Sequence, residues 1–174
     1  MDLLDFEGQS LYFDEPMPEK VKTLLDEAAE AYGKTDSELL LLEAHLMAPE
    51  NLTVLVALYR YYYYQHRLEH ALIVSDRALR ASGKLLEFPE TWDALDIRYL
   101  AYGAMKSMGL VRFYLLCLKA AGYLNLRLRN NDEGLAMLNK VVELDESDRL
   151  GARLLIEVFN ANLSGTEDHQ RIAV

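Results

Sequence analysis

Apolar residues recur at three- and four-residue spacings through most of the chain, the period of helices that bury one face. Breakers interrupt this pattern at short intervals. Pro16 and Pro18 open a helix expected to end near Gly33. Thr35, with Glu38 three residues on, has the form of a capping box ahead of LLLLEAHLM. Pro49 and Asn51 separate that helix from TVLVALYRYYYY, and a polar QHR leads into LEHALIVSDRALRAS, which Gly83 closes. After Pro89 the pattern predicts a helix over ETWDALDIRYLAYGAMKSM as far as Gly109, then LVRFYLLCLKAAGYLNLRLR up to Asn130-Asn131. DEGLAMLNKVVEL follows, and Ser147 reads as the cap of DRLGARLLIEVFNANL. The expected fold is all-α, about eight helices joined by short turns as antiparallel hairpins.

Composition agrees with this class. A chain of 174 residues, 51% hydrophobic and 26% charged, suits one helical domain with its own core. That domain is expected over residues 16–163, after an acidic segment 1–15 and before a tail 164–174. The N-terminus has no basic region, and no apolar run approaches the roughly 20 residues that span a membrane. Cys117 is the single cysteine, which rules out an intramolecular disulfide and reads as a small core residue. These features together point to a reducing, cytoplasmic location.

Charge changes the picture further. The net charge is −10, and residues 1–50 carry all of it, with 13 Asp and Glu against 3 Lys. The remainder is balanced. No long basic stripe accompanies the tyrosines of YRYYYY, which argues against a nucleic-acid platform.

The stretch LYRYYYYQHRLEHALIVSDRALRASG resembles a tetratricopeptide repeat (TPR). Leu55, Leu58, Tyr59 and Tyr62 match the large residues of that family's first helix, and Ala71 and Ala78 match the small residues of its second. Gly83 stands where the family has a proline. One period earlier, Val21, Leu24, Leu25 and Ala28 pair with Ser37, Leu41, Ala44 and Pro49, and Pro49 falls on the family proline. A third copy is carried by Leu118, Ala121, Gly122 and Asn125 with Gly134, Leu138 and Val141. Ala71 to Gly134 spans 63 residues, short of two periods of about 34, so the period breaks after about residue 85, and residues 86–114 read either as an irregular repeat or as an inserted helix. The resemblance implies a right-handed solenoid closed by a capping helix that turns Leu154, Leu155, Val158 and Phe159 inward.

In that family the first helices line a concave groove. At about 100° per residue, Leu55, Leu58, Tyr59 and Tyr62 form the core face of their helix. The resemblance then places Thr53, Val56, Arg60, Tyr63 and Tyr64 in the groove, with Lys119, Tyr123 and Arg127 from a later helix and Arg153 from the last. The first repeat adds Glu19, Lys22, Asp26 and Glu30, so the groove is acidic at its start and basic-aromatic beyond. Aromatic and arginine side chains anchor peptide interfaces, since they bury much area per fixed rotamer. The implied partner is another protein, a peptide or helix of acidic character. A homodimer is a second expectation, and segment 1–15 reads either as a disordered lead-in or as a ligand of the groove in cis.

No chemistry-bearing motif emerges. His66 and His70 are four apart but straddle a turn, so no metal or other cofactor is expected. No glycine-rich loop follows a strand, and no serine lies in a nucleophile elbow. Glu87, Glu90, Asp93 and Asp96 read as a solvated face. The expected function is a non-catalytic interaction module: an adaptor, an assembly factor or a client-holding chaperone. A homo-oligomeric scaffold and a secretion-type TPR chaperone are the alternatives.

Overall fold

Asn51 shows how the punctuation works. Its side chain accepts a hydrogen bond of 3.1 Å from the Val54 amide and starts a helix along Leu52–Tyr64. A computed structural model describes residues 16–32 and 36–171, with side chains to residue 162. Among these residues it has seven α-helices and no strand: α1 (Glu19–Glu30), α2 (Ser37–Met47), α3 (Leu52–Tyr64), α4 (Leu68–Leu86), α5 (Ile97–Arg127), α6 (Asn131–Leu144) and α7 (Ala152–Arg171). A 3₁₀ turn, Trp92–Ala94, lies between α4 and α5.

The eighth expected helix is the second half of α5. Ser107 has φ −161° and ψ 106°, which breaks the helical run there and not at Gly109. Its Oγ then accepts from the Leu110 amide at 3.2 Å, an N-cap for the half that follows. Upstream, α5 begins only at Ile97, because the Asp96 carboxylate accepts from the Arg98 and Tyr99 amides. The segment ETWDAL is therefore a loop with one 3₁₀ turn.

Three further expectations are corrected. Gly83 does not end α4, which runs on to Leu86 and stops at Glu87 in the left-handed region (φ 56°). Gly83 is instead buried, where a Cβ would come within 3.1 Å of the Tyr114 ring. The start of α7 is held by Asp148, not Ser147: its Oδ1 accepts from the Ala152 and Arg153 amides. The tail expected from residue 164 is helical as far as Arg171. The proposed capping-box serine or threonine, Thr35, lies outside the described residues, and Glu38 bonds elsewhere.

Each helix packs on its neighbour in the chain, from α1 on α2 to α6 on α7, and α7 also touches α5. The core runs through all of them. Leu55, Leu58, Tyr59 and Tyr62 of α3 are buried as their spacing predicted, and so are Ala71 and Ala78 of α4 and Cys117 of α5; Leu52 joins them. Burial pushes the Cys117 thiol well above its ordinary pKa, so it is inert packing. Leu154 and Val158 of α7 face outward, whereas Leu155 and Ile156 pack on the core. The buried face of α7 is thus rotated from the one the spacing suggested.

Polar contacts fix the helix order. Ser37 Oγ donates to the Ala28 carbonyl at 2.9 Å, joining α2 to α1, and Ser75 Oγ donates to the Cys117 carbonyl at 3.1 Å, joining α4 to α5. Between α5 and α6 the contact is closer still. A Cβ on Gly134 would lie 2.8 Å from the Gly122 carbonyl oxygen, so the two backbones touch where both residues lack side chains.

Candidate functional site

Helix α3 presents two polar-aromatic faces beside its core face. The first is Ala57, Arg60, Tyr61 and Tyr64, spaced i, i+3, i+4, i+7. With Leu25 of α1, Tyr32 in the turn after it and Leu41 of α2, these residues line a cleft of about 450 Å³. Tyr32 meets Tyr61 edge-on at 6.4 Å, and Tyr61 meets Tyr62 at 5.6 Å. Such edge-to-face pairs hold the rings in place at little entropic cost. The cleft wall is therefore preformed, and Tyr32 and Tyr64 remain about half exposed on it.

The second face carries Tyr63, stacked on Tyr59 at 5.9 Å and edge-on to Tyr64 at 5.9 Å. It looks toward α5. There Arg127 Nη1 donates to the Tyr123 hydroxyl at 2.8 Å while its guanidinium lies 5.7 Å from the Tyr123 ring. That hydrogen bond, with the electrostatic influence of the Tyr123 and Tyr63 phenols, raises the Arg127 pKa. Tyr63 and Arg127 are thus within electrostatic reach of each other across α3 and α5, and Arg127 stays exposed.

The structure brings together some of the predicted site residues and separates others. Arg60 and Tyr64 line the α1–α3 cleft, and Tyr63, Tyr123 and Arg127 lie together at the α3–α5 end. Lys119 is half-buried on α5, one turn before Tyr123. Val56 is a correction: it is 6% exposed and belongs to the core. Thr53 and Arg153 do not line the cleft, and the Arg153 guanidinium donates to the Glu146 carbonyl at the α6–α7 junction.

Sequence reasoning missed Tyr32, Ala57 and Tyr61. The signal was present, since 57, 60, 61 and 64 form one helical face; the groove face had been set one residue too early.

The aromatic run is anchored from below. Tyr62 donates to Glu38 Oε1 at 3.2 Å, and Arg67 Nη1 donates to Glu38 Oε2 at 2.7 Å while its guanidinium covers the Tyr62 ring at 4.7 Å. Burial, with the Glu38 charge and hydrogen bond, raises the Tyr62 pKa against the opposing pull of Arg67. Among the described residues no group of three or more His, Cys, Asp or Glu is arranged to hold a metal ion. No described helix is long and apolar enough to cross a membrane.

A protein from Azotobacter chroococcum mcd 1, described as an uncharacterized 19.8 kDa protein in the nifW 5′ region, is 51% identical over 159 residues. The match covers 91% of this chain and 89% of that protein. The chain belongs to that protein's family. No family model matches the sequence, and no solved structure matches the chain.

Proposed function

We propose that the protein is a non-catalytic interaction module, a TPR-like right-handed solenoid that holds an acidic, apolar-anchored peptide or helix along α1, α3 and α5. One observation carries this reading: the tyrosine-lined cleft of about 450 Å³ beside Arg60, continued by Tyr63, Tyr123 and Arg127. Fixed aromatic rings supply buried area, and the guanidinium groups supply charge-assisted hydrogen bonds to a partner carboxylate. The order of helix contacts along the chain suits a repeat architecture, in which each hairpin touches only its neighbours. The closeness of Gly122 to Gly134 suits the small residues that let paired repeat helices approach.

The relative's place in the nifW 5′ region directs the search for a partner to the products of genes around that locus. The test is binding of candidate partners by wild type and by Arg60→Glu and Tyr64→Ala variants that keep the parent's helical signal. Loss of at least about tenfold in affinity, about 1.4 kcal/mol, supports the groove; unchanged affinity removes it.

A second reading, the homo-oligomeric scaffold, is favoured by a different surface. The first half of α5 exposes Ile97, Tyr99, Tyr102 and Met105, and Met108 is exposed just past the break at Ser107. Such an apolar stripe suits contact with a second copy. Light scattering separates the two: the scaffold requires a dimer or larger species, which Met105→Glu disperses.

A further inference from the structure

A second cleft, of about 1000 Å³, opens among α4, the 88–93 segment, α5 and α6, and shares no lining residue with the Arg60 cleft. It is firmly built. Glu87 in the left-handed region turns the chain, and the Phe88 amide donates back to the Gly83 carbonyl at 2.9 Å. Buried Leu95 fastens the far end of the loop, and Lys140 of α6 donates to its carbonyl at 3.2 Å.

The inner wall is apolar: Leu79, Phe88, Tyr114 and Met137 are all buried. Tyr114 is 3% exposed, its ring edge-on to Phe88 at 5.0 Å, and its hydroxyl makes no hydrogen bond to a described residue.

The rim is acidic. Asp76, Glu90, Asp93 and Glu133 stand there against Arg80 and Lys84, and Lys84 is taken by Glu50, outside the cleft, at 2.9 Å. Asp76 is half-buried without a hydrogen bond to a described residue. Burial raises its carboxyl pKa, Arg80 opposes this, and the like charge of Glu133 adds to it. The fold thus holds a partly desolvated carboxylate, Asp76, beside an apolar wall, flanked by Arg80 and by the like charge of Glu133. A further cation placed between the two carboxylates offsets the cost of that burial and repulsion beyond what Arg80 supplies.

We propose that this cleft binds an arginine or lysine side chain of a protein partner, its aliphatic stem along Leu79 and Met137 and its charged head between Asp76 and Glu133. The stem of such a side chain packs on apolar surface while the head keeps polar contacts, and Trp92 at the edge offers a ring face to the cation. The site differs in charge sign and in position from the Arg60 cleft, so it stands or falls independently of that reading.

Trp92 is the single tryptophan of the chain, so intrinsic fluorescence reports on this cleft directly. The probes are acetyl-Leu-Arg-Leu-amide, its glutamine counterpart, and spermidine, titrated into the full chain. The expected result is a saturable change with the arginine peptide, none with the glutamine peptide, and at least about tenfold weaker binding to Asp76→Asn and Glu133→Gln. Asp76→Asn removes a carboxylate whose burial is unfavourable, so it melts at or above the parent's temperature while losing the ligand, a pair of effects that mere unfolding cannot produce. Should Asp76→Asn melt well below the parent, exposed Glu133→Gln decides alone. No saturable response to the arginine peptide, parental affinity in the deciding variant, or saturation by spermidine alone overturns the proposal.

Discussion

Glu38 and Arg67, 29 residues apart, form an ion pair of 2.7 Å that ties the start of α2 to the turn between α3 and α4. The Tyr62 hydroxyl shares the same carboxylate. Because both charged groups are only partly exposed, and a phenol and a guanidinium meet on one acceptor, the contact is stronger than an isolated surface pair. Glu38→Gln is expected to cost about 1–2 kcal/mol. At about 2–4 °C per kcal/mol for a domain of this size, that lowers Tm by several degrees. A double-mutant cycle with Tyr62→Phe measures the shared part. Strict additivity would show that the two bonds are independent.

The Gly122–Gly134 contact sets two effects against each other. Alanine in a helix interior is favoured over glycine by about 1 kcal/mol. Against this, a Cβ on Gly134 would meet the Gly122 carbonyl oxygen at 2.8 Å and Leu126 Cδ2 at 2.7 Å. Backbone cannot yield as a side-chain tip can, and overpacking costs about 1–3 kcal/mol. Gly134→Ala is therefore expected to lose stability in urea unfolding, and a gain would mean that α5 and α6 separate freely.

His45 predicts a pH dependence. Arg77 Nη1 lies 2.7 Å from its Nε2, and since arginine only donates, Nε2 accepts and Nδ1 keeps its proton in a buried position without an acceptor. Burial first, then the Arg77 charge, lower the imidazole pKa below 6.5. The neutral form is favoured in the fold, so its stabilising share is present above pH 6.5 and is lost as pH falls through the depressed value. Wild type should therefore lose more Tm between pH 7 and pH 5 than His45→Gln does. Parallel curves would refute this.

Much of this fold was legible in the chain because prolines, asparagines and apolar periodicity act locally. The core face of α3 follows from Leu55, Leu58, Tyr59 and Tyr62 alone. What failed were features decided by distant partners. Gly83 looked like a terminator, but its bare backbone receives the Tyr114 ring from α5. Glu38 looked like half of a capping box, but Arg67 takes its carboxylate. The groove face was read around Val56, which neighbouring helices bury, when the adjoining face around Ala57 lines the cleft. Asp76 and Glu133 gave no signal at all, since only the packing of both α4 and α6 on α5 brings them to one cleft.

The tyrosine-arginine surface of α3 and α5 is the proposed seat of a protein partner. The measurement that tests it most directly is affinity capture from lysate of the source organism with mass spectrometry of the retained proteins. Wild type is compared with a folded Arg60→Glu, Tyr64→Ala, Arg127→Glu variant and with Asp76→Asn. A partner retained by wild type and missing from the triple variant is the predicted result, and its presence or absence on Asp76→Asn reports whether the acidic cleft shares that partner. Equal retention by wild type and the triple variant would contradict the claim.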